Sequence, residues 1–234
     1  MPLEPSESLP KPQELSFTPT KVIPLNGSIL GWVDLFRGIQ LCDVLDDDSK
    51  LRYIPPPEPM PGNKGIGHKG EVAIFRDICG CGEWIKCVEM DYRDTGAAPV
   101  VADGFAPDEW TAITSIGNLD WNHWERVDAL DIADISVAEP LGECFDMLPA
   151  KHCENGKPSL KKIPIGIPTL CEYNNNVLCL MSKLGHDDCK GWVVTIDTES
   201  KKQLRSLLQR SALISPFYCD SSRANYVPRL CSVA

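Results

Sequence analysis

Thiols, imidazoles and carboxylates are the groups to weigh first. Cys79, Cys81 and Cys87 form a C-x-C-x5-C run. A structural zinc site usually takes two C-x2–4-C or H-x3–5-H pairs, so a single C-x-C is too tight for the common knuckle. His152-Cys153 and His186…Cys189 are further donors, but no spacing ties them to the first three. The expectation is cysteines in turns and core, and no metal. His186-Asp187-Asp188 has the composition of an acid/base cluster. It falls in a short loop between two strand-like runs, where polar residues are expected anyway. With Asp34, His186 and Asp187 are the acid/base candidates worth testing. Gly65-Ile66-Gly67-His68-Lys69-Gly70 satisfies G-x-G-x-x-G. That pattern cradles phosphate only between a strand and a helix. Here Pro55 to Pro61 precedes it and the β-rich run Val72 to Phe75 follows, so it reads as a flexible loop. Asp43, Asp46, Asp47 and Asp48 lack the spacing, Gly and Glu of an EF-hand and read as a solvated turn. There is no G-x-S-x-G elbow, P-loop or H-E-x-x-H. No catalytic, cofactor-binding or metal-ligating residue is assigned, and no cofactor is expected.

Composition narrows the partners. The 234 residues carry a net charge of −10. A phosphate-binding surface needs clustered Lys and Arg, which excludes nucleic acid and an anionic membrane surface as expected partners. No apolar run approaches the ~18 residues of a spanning helix. Residues 1–20 hold five prolines and no apolar signal core; they read as a disordered N-terminal arm. Eleven cysteines, an odd number at irregular spacings, point to free thiols in a reducing compartment. The expected location is cytoplasmic or nuclear, not secreted, which leaves the Asn26-Gly27-Ser28 sequon unused. Cys42, Cys87 and Cys179 lie in strand-like runs, where Cys packs as a small hydrophobe.

The rest of the chain reads as strands. Ile29–Leu35 and Ile39–Leu45 are joined through Phe36-Arg37-Gly38, where glycine tolerates positive φ. Leu51–Ile54 follows a polar turn, and Pro55-Pro56-Pro57 ends it by removing ladder donors. Asp34 interrupts the first of these strands and is expected on the solvent face of the pleat; a buried carboxylate bonding Arg37 or turn amides is the alternative. Val72–Ile78 and Trp84–Met90 flank a turn at Cys79–Gly82. Further strands are expected at Glu109–Ile116, Trp121–Val127 and Asp131–Val137. Residues 169–207 give the cleanest unit, with strands at Thr169–Tyr173, Val177–Met181, Trp192–Asp197 and Gln203–Leu207. Leu204, Leu207 and Leu208 also have helical spacing, but the four-strand context favours strand. Trp121, Trp124 and Trp192 are expected to pack in the core.

Four-stranded meanders recurring every ~40–50 residues are the blade pattern of a propeller. The expectation is an all-β domain over residues 21–234, propeller-like and near the minimum number of blades. A β-sandwich of the same hairpins is the alternative.

Several stretches resemble the plant family called domain of unknown function 1618. They are Gly31-Trp32-Val33-Asp34, Arg37-Gly38-Ile39, Cys42-Asp43-Val44-Leu45 and Leu51-Arg52-Tyr53-Ile54-Pro55, similar to its W-V-D…R-G-I-L…C-D-V…L-R-Y signature. Trp124-Glu125 with Leu130–Ile135, Pro168-Thr169-Leu170, Val177–Met181 and Trp192–Asp197 continue the match in order. Gln40 stands where the family usually has Leu. The resemblance implies kinship with propeller domains that follow F-boxes, and it carries no catalytic residue. The expected function is a non-enzymatic module with protein partners. The alternative is an enzyme or small-molecule binder using a propeller mouth or loop pocket.

Overall fold

A computed structural model describes residues 17–64, 72–92, 110–119, 123–136, 153–154, 157–158, 160, 165–171, 176–182 and 190–210. Three four-stranded sheets make up the fold. The first holds β1 (Lys21–Pro24), β2 (Ile29–Asp34), β3 (Gly38–Asp43) and β4 (Arg52–Ile54). In the second are β5 (Arg76–Cys81), β6 (Trp84–Tyr92), β7 (Trp110–Asn118) and β8 (Glu125–Asp131). A two-stranded ribbon, β9 (Cys153–Glu154) with β10 (Lys157–Pro158), precedes the third sheet. That sheet comprises β11 (Ile165–Leu170), β12 (Val177–Ser182), β13 (Lys190–Asp197) and β14 (Lys202–Arg210). Every four-stranded sheet is an antiparallel meander in chain order. Among the described residues there is no α-helix, and no helix long and apolar enough to cross a membrane. The chain is all-β.

An isolated meander leaves apolar faces open, and here the sheets close them on one another. Ile23, Val33 and Ile39 of the first sheet share one core with Ile78, Ile85 and Val88 of the second and Leu178, Val194 and Ile196 of the third. Asp77 ties the first strands together. Its Oδ1 meets Lys21 Nζ of β1 at 2.5 Å, and its Oδ2 accepts the Leu170 N–H of β11 at 2.9 Å. On the first-sheet side, a Cβ added at Gly80 would lie 2.5 Å from the Pro24 carbonyl oxygen. Glycine there lets the two backbones approach.

Several expectations need correction. β1 was not anticipated, because four residues ending in proline give little strand signal. The expected strand at Val72–Ile78 opens instead as a 3-10 turn, Val72–Ile74, and pairing starts at Arg76. Cys79 to Cys81 is strand rather than turn; the reversal is Gly82-Glu83, with Gly82 at φ +66°. The expected strand at Asp131–Val137 is a 3-10 turn at Ile132–Asp134, where the Asp131 carboxylate accepts the Ala133 N–H at 2.8 Å. The third sheet begins earlier than expected, at Ile165, with a register shift between Gly166 and Thr169 and Ile167 at φ +54°. β14 is strand, as its context favours. The glycine motif at 65–70, His152, His186, Asp187, Asp188 and Trp121 lie outside the described residues, as does the side chain of Trp192.

Asp34 is not on the solvent face. It is buried, and Oδ1 accepts the Phe36 and Arg37 N–H groups at 3.0 and 2.9 Å. Oδ2 accepts the Thr18 N–H at 3.0 Å and faces the Arg37 guanidinium at 3.4 Å. The carboxylate thus holds the β2–β3 turn from within, the alternative weighed above. Asp34→Ala should destabilise by about 1–3 kcal/mol, because it strands those turn donors. A denaturant midpoint unchanged to within about 0.5 kcal/mol would contradict this role.

Candidate functional site

Residues that alternate along a strand share a face. Cys79 and Cys81 therefore project to the same side of β5. Across the ladder Cys81 pairs with Trp84 and Cys79 with Lys86; Trp84 then pairs with Asn118, and Lys86 with Ile116. Farther along, the row Asp77, Val88, Thr114 is buried, and Asp77 there bonds the third sheet. Toward the β5–β6 turn the two sheets part, and the face opens into a groove of about 590 Å³.

The second sheet gives one wall: Cys81, Trp84, Lys86, Ile116, Val127 and Asp128. Val127 reaches it through a bulge. Thr114 pairs with Asp128 and Ser115 with Arg126, which leaves Val127 as the extra residue. Such an insertion re-aims a side chain, and Val127 is 48% exposed. Trp84, the first residue after the turn, is 38% exposed.

Asn176, Thr198, Glu199 and Lys201 of the third sheet form the opposite wall. Their turns are braced. Asn176 Nδ2 donates to Glu199 Oε2 at 2.7 Å, and Thr198 N–H donates to the Asn176 carbonyl at 2.7 Å. Lys201 Nζ meets Asp134 Oδ2 at 3.0 Å, and that carboxylate raises the Lys201 pKa and keeps the ammonium charged. The Lys201 carbonyl accepts the Ser136 N–H at 3.0 Å, which joins the two sheets beside the groove. Charges of both signs, Lys86 and Lys201 with Asp128 and Glu199, line the groove together with the apolar Trp84, Ile116 and Val127.

Buried ions also lie outside the groove. Arg76 and Glu89 pair at 2.6 Å. Glu89 Oε1 accepts from Asn63 Nδ2 at 2.7 Å and from the Met60 N–H at 2.9 Å. Arg76 donates to the Leu35 carbonyl at 3.2 Å. The cluster seals the connection between the first and second sheets.

The sequence candidates separate in space. Cys87 pairs with Ile78 and Ser115, so it faces away from Cys79 and Cys81, and burial pushes its thiol up to about 12. Cys79 Sγ and Cys81 Sγ are 3.6 Å apart. Among the described residues no group of three or more His, Cys, Asp or Glu could hold a metal ion. The aspartates at 43–48 serve their own turn: Asp43 accepts from Ser28 and from the Leu45 N–H, and Asp46 from the Asp48 N–H. The Ser28 bond holds the Asp43 carboxyl below its usual range. Trp124 is a packing residue; its Nε1–H donates to the Pro55 carbonyl at 2.7 Å, and its ring covers Gly117. Sequence reasoning missed the groove residues Trp84, Lys86, Val127 and Lys201. A tryptophan placed directly after a Gly-Glu reversal was the one available signal.

Three meanders around one core, with a mixed groove where two of them part, define an all-β scaffold of repeated sheets. The chain belongs to the family described as protein of unknown function (DUF1618), whose family model matches residues 32–179. The match runs from within β2 to within β12. It includes the second-sheet wall and Asn176 but not Thr198 to Lys201. No curated protein matches the chain, and no solved structure does.

Proposed function

We propose that this protein is a non-enzymatic interaction module that grips a segment of a protein partner in the groove between its second and third sheets. The observation that carries this reading is Trp84, partly exposed at the groove and flanked by Val127 and by charges of both signs. Interface hot spots concentrate in such aromatic anchors within a polar rim. The net charge of −10 speaks against nucleic acid as the partner. We place residues 1–20 as an arm and 21–234 as the β domain, a propeller-like assembly in which the meanders act as blades. The contacts of β5 with both β1 and β11 support that arrangement. The setting we propose is the plant cytoplasm or nucleus; the unbridged thiols of the described cysteines support a reducing compartment.

A second reading, a small-molecule binder or an enzyme, draws on the groove volume, which lies in the range of ligand sites. One pair of experiments separates them. Peptide display against the whole chain should enrich a sequence family whose affinity falls about tenfold or more in Trp84→Ala, a loss typical of an anchor residue. The variant should keep its stability to within about 1 kcal/mol, since Trp84 is partly exposed. No enrichment, or enrichment indifferent to Trp84, would remove the peptide reading. A thermal-shift screen in which small molecules stabilise the wild type and not Trp84→Ala would favour the second reading.

A further inference from the structure

We propose that Cys79 and Cys81 form a reversible dithiol–disulfide site, reached through the groove and oxidised by small-molecule disulfides of the glutathione class. The two residues lie two apart on one face of β5, with their sulfurs 3.6 Å apart. A strand rise of ~3.3 Å per residue puts their Cα atoms ~6.6 Å apart. That is near the upper end of the ~4.4–6.8 Å that a disulfide spans. Side chains that stand parallel on one strand face keep their Cβ atoms near that same spacing, beyond the ~3.5–4.5 Å of a disulfide. Closing the bond therefore bends β5 at Gly80, and the strain makes it easy to reduce again.

Access is unequal. Cys79 is 1% exposed, whereas Cys81 is half-buried and lines the groove. Cys81 is thus the sulfur that an entering disulfide meets. Lys86, paired with Cys79 across the ladder, lines the groove as well. Contact with Cys81 and burial both push the Cys79 pKa up, so Cys79 holds its proton until the mixed disulfide has formed.

In the first step the Cys81 thiolate attacks one sulfur of glutathione disulfide. The S–S bond breaks, and one glutathione leaves as a thiolate that takes up a proton. Cys79 then gives its proton to solvent and attacks the Cys81 sulfur of the mixed disulfide, expelling the second glutathione. The two cysteines lose two protons and two electrons, and one glutathione disulfide takes them up to become two glutathiones. None of this depends on what the groove binds.

The test uses the whole purified chain in glutathione buffers of rising oxidised fraction. Samples are quenched in acid, unfolded, alkylated and read by peptide mass spectrometry. Residues 79 and 81 should lose their labels together, with a loss of two hydrogens and no retained glutathione. Dithiothreitol should restore both labels, and Cys87 should stay labelled throughout. Cys79→Ser should trap one glutathione on Cys81. In Cys81→Ser, Cys79 should keep its label. Complete labelling of both residues in the most oxidised buffer would overturn the proposal, as would separate glutathione adducts on each. Should Cys79→Ser fail to fold, the wild type and Cys81→Ser decide the question.

Discussion

Gly38→Val should destabilise the protein by about 2–6 kcal/mol, adding backbone strain to overpacking. Gly38 has φ +118°, a conformation that a β-branched residue resists. Space is equally restricted. A Cβ at this position would lie 2.3 Å from the Ile54 carbonyl oxygen and 3.2 Å from Pro55 Cα. Both are backbone atoms of β4 and its exit, so no side-chain rotation relieves the clash. β3 would have to move from β4, or the three-residue turn Leu35–Arg37 would have to be redrawn. That turn carries the Asp34 bonds, and its Leu35 carbonyl accepts from Arg76. The damage would therefore reach the second sheet. Gly27 provides the control, with φ +68° but no atom within 4 Å of an added Cβ. Gly27→Ala meets strain alone and should cost about 1 kcal/mol. Denaturant midpoints of the two variants and the wild type make the comparison. Equal costs would show that β4 does not confine Gly38.

Glu89→Ala should cost about 3–5 kcal/mol, the usual penalty for removing one partner of a buried ion pair. Arg76 and Glu89 keep 2% and 5% of their side-chain surface exposed. Without Glu89 the Arg76 charge is stranded in the interior. Asn63 Nδ2 loses one of its two acceptors, and the Met60 N–H loses its bond. Arg76→Met with Glu89→Met removes both charges and leaves apolar side chains of similar length. The double variant should recover a substantial part of the single-variant loss. If the two changes simply add, the pair is not coupled and this account of the cluster fails.

The meanders were legible where strands alternate and turns are short. The expected runs Ile29–Leu35, Trp84–Met90, Val177–Met181 and Trp192–Asp197 fall on β2, β6, β12 and β13 for that reason. Gly38 was legible as a positive-φ turn residue because the apolar strands on either side leave little else for it to be. Asp34 was read onto the wrong face. Period-two reasoning assigns a face but does not see turn amides gathering around a carboxylate. Cys79–Cys81 was read as a turn because Gly80 looks like punctuation; in the fold Gly80 is the point of approach to Pro24. The groove was beyond sequence reasoning for a different cause. Its walls join residues from 81 to 201, and the bulge that exposes Val127 leaves no mark in the local pattern.

Asp77 bears on how the chain is made. Its two partners emerge from the ribosome far apart in time: Lys21 precedes it, and Leu170 follows 93 residues later. At ~5–20 residues per second, that interval is on the order of 5–20 s. Once β8 is complete the first two sheets can pair, while the face of β5 and β6 that meets the third sheet still has no cover. A nascent chain in this state presents unfinished apolar surface to the cell. Slowing synthesis between the second and third sheets should lengthen its dependence on chaperones, and arrival of β11 should end that dependence.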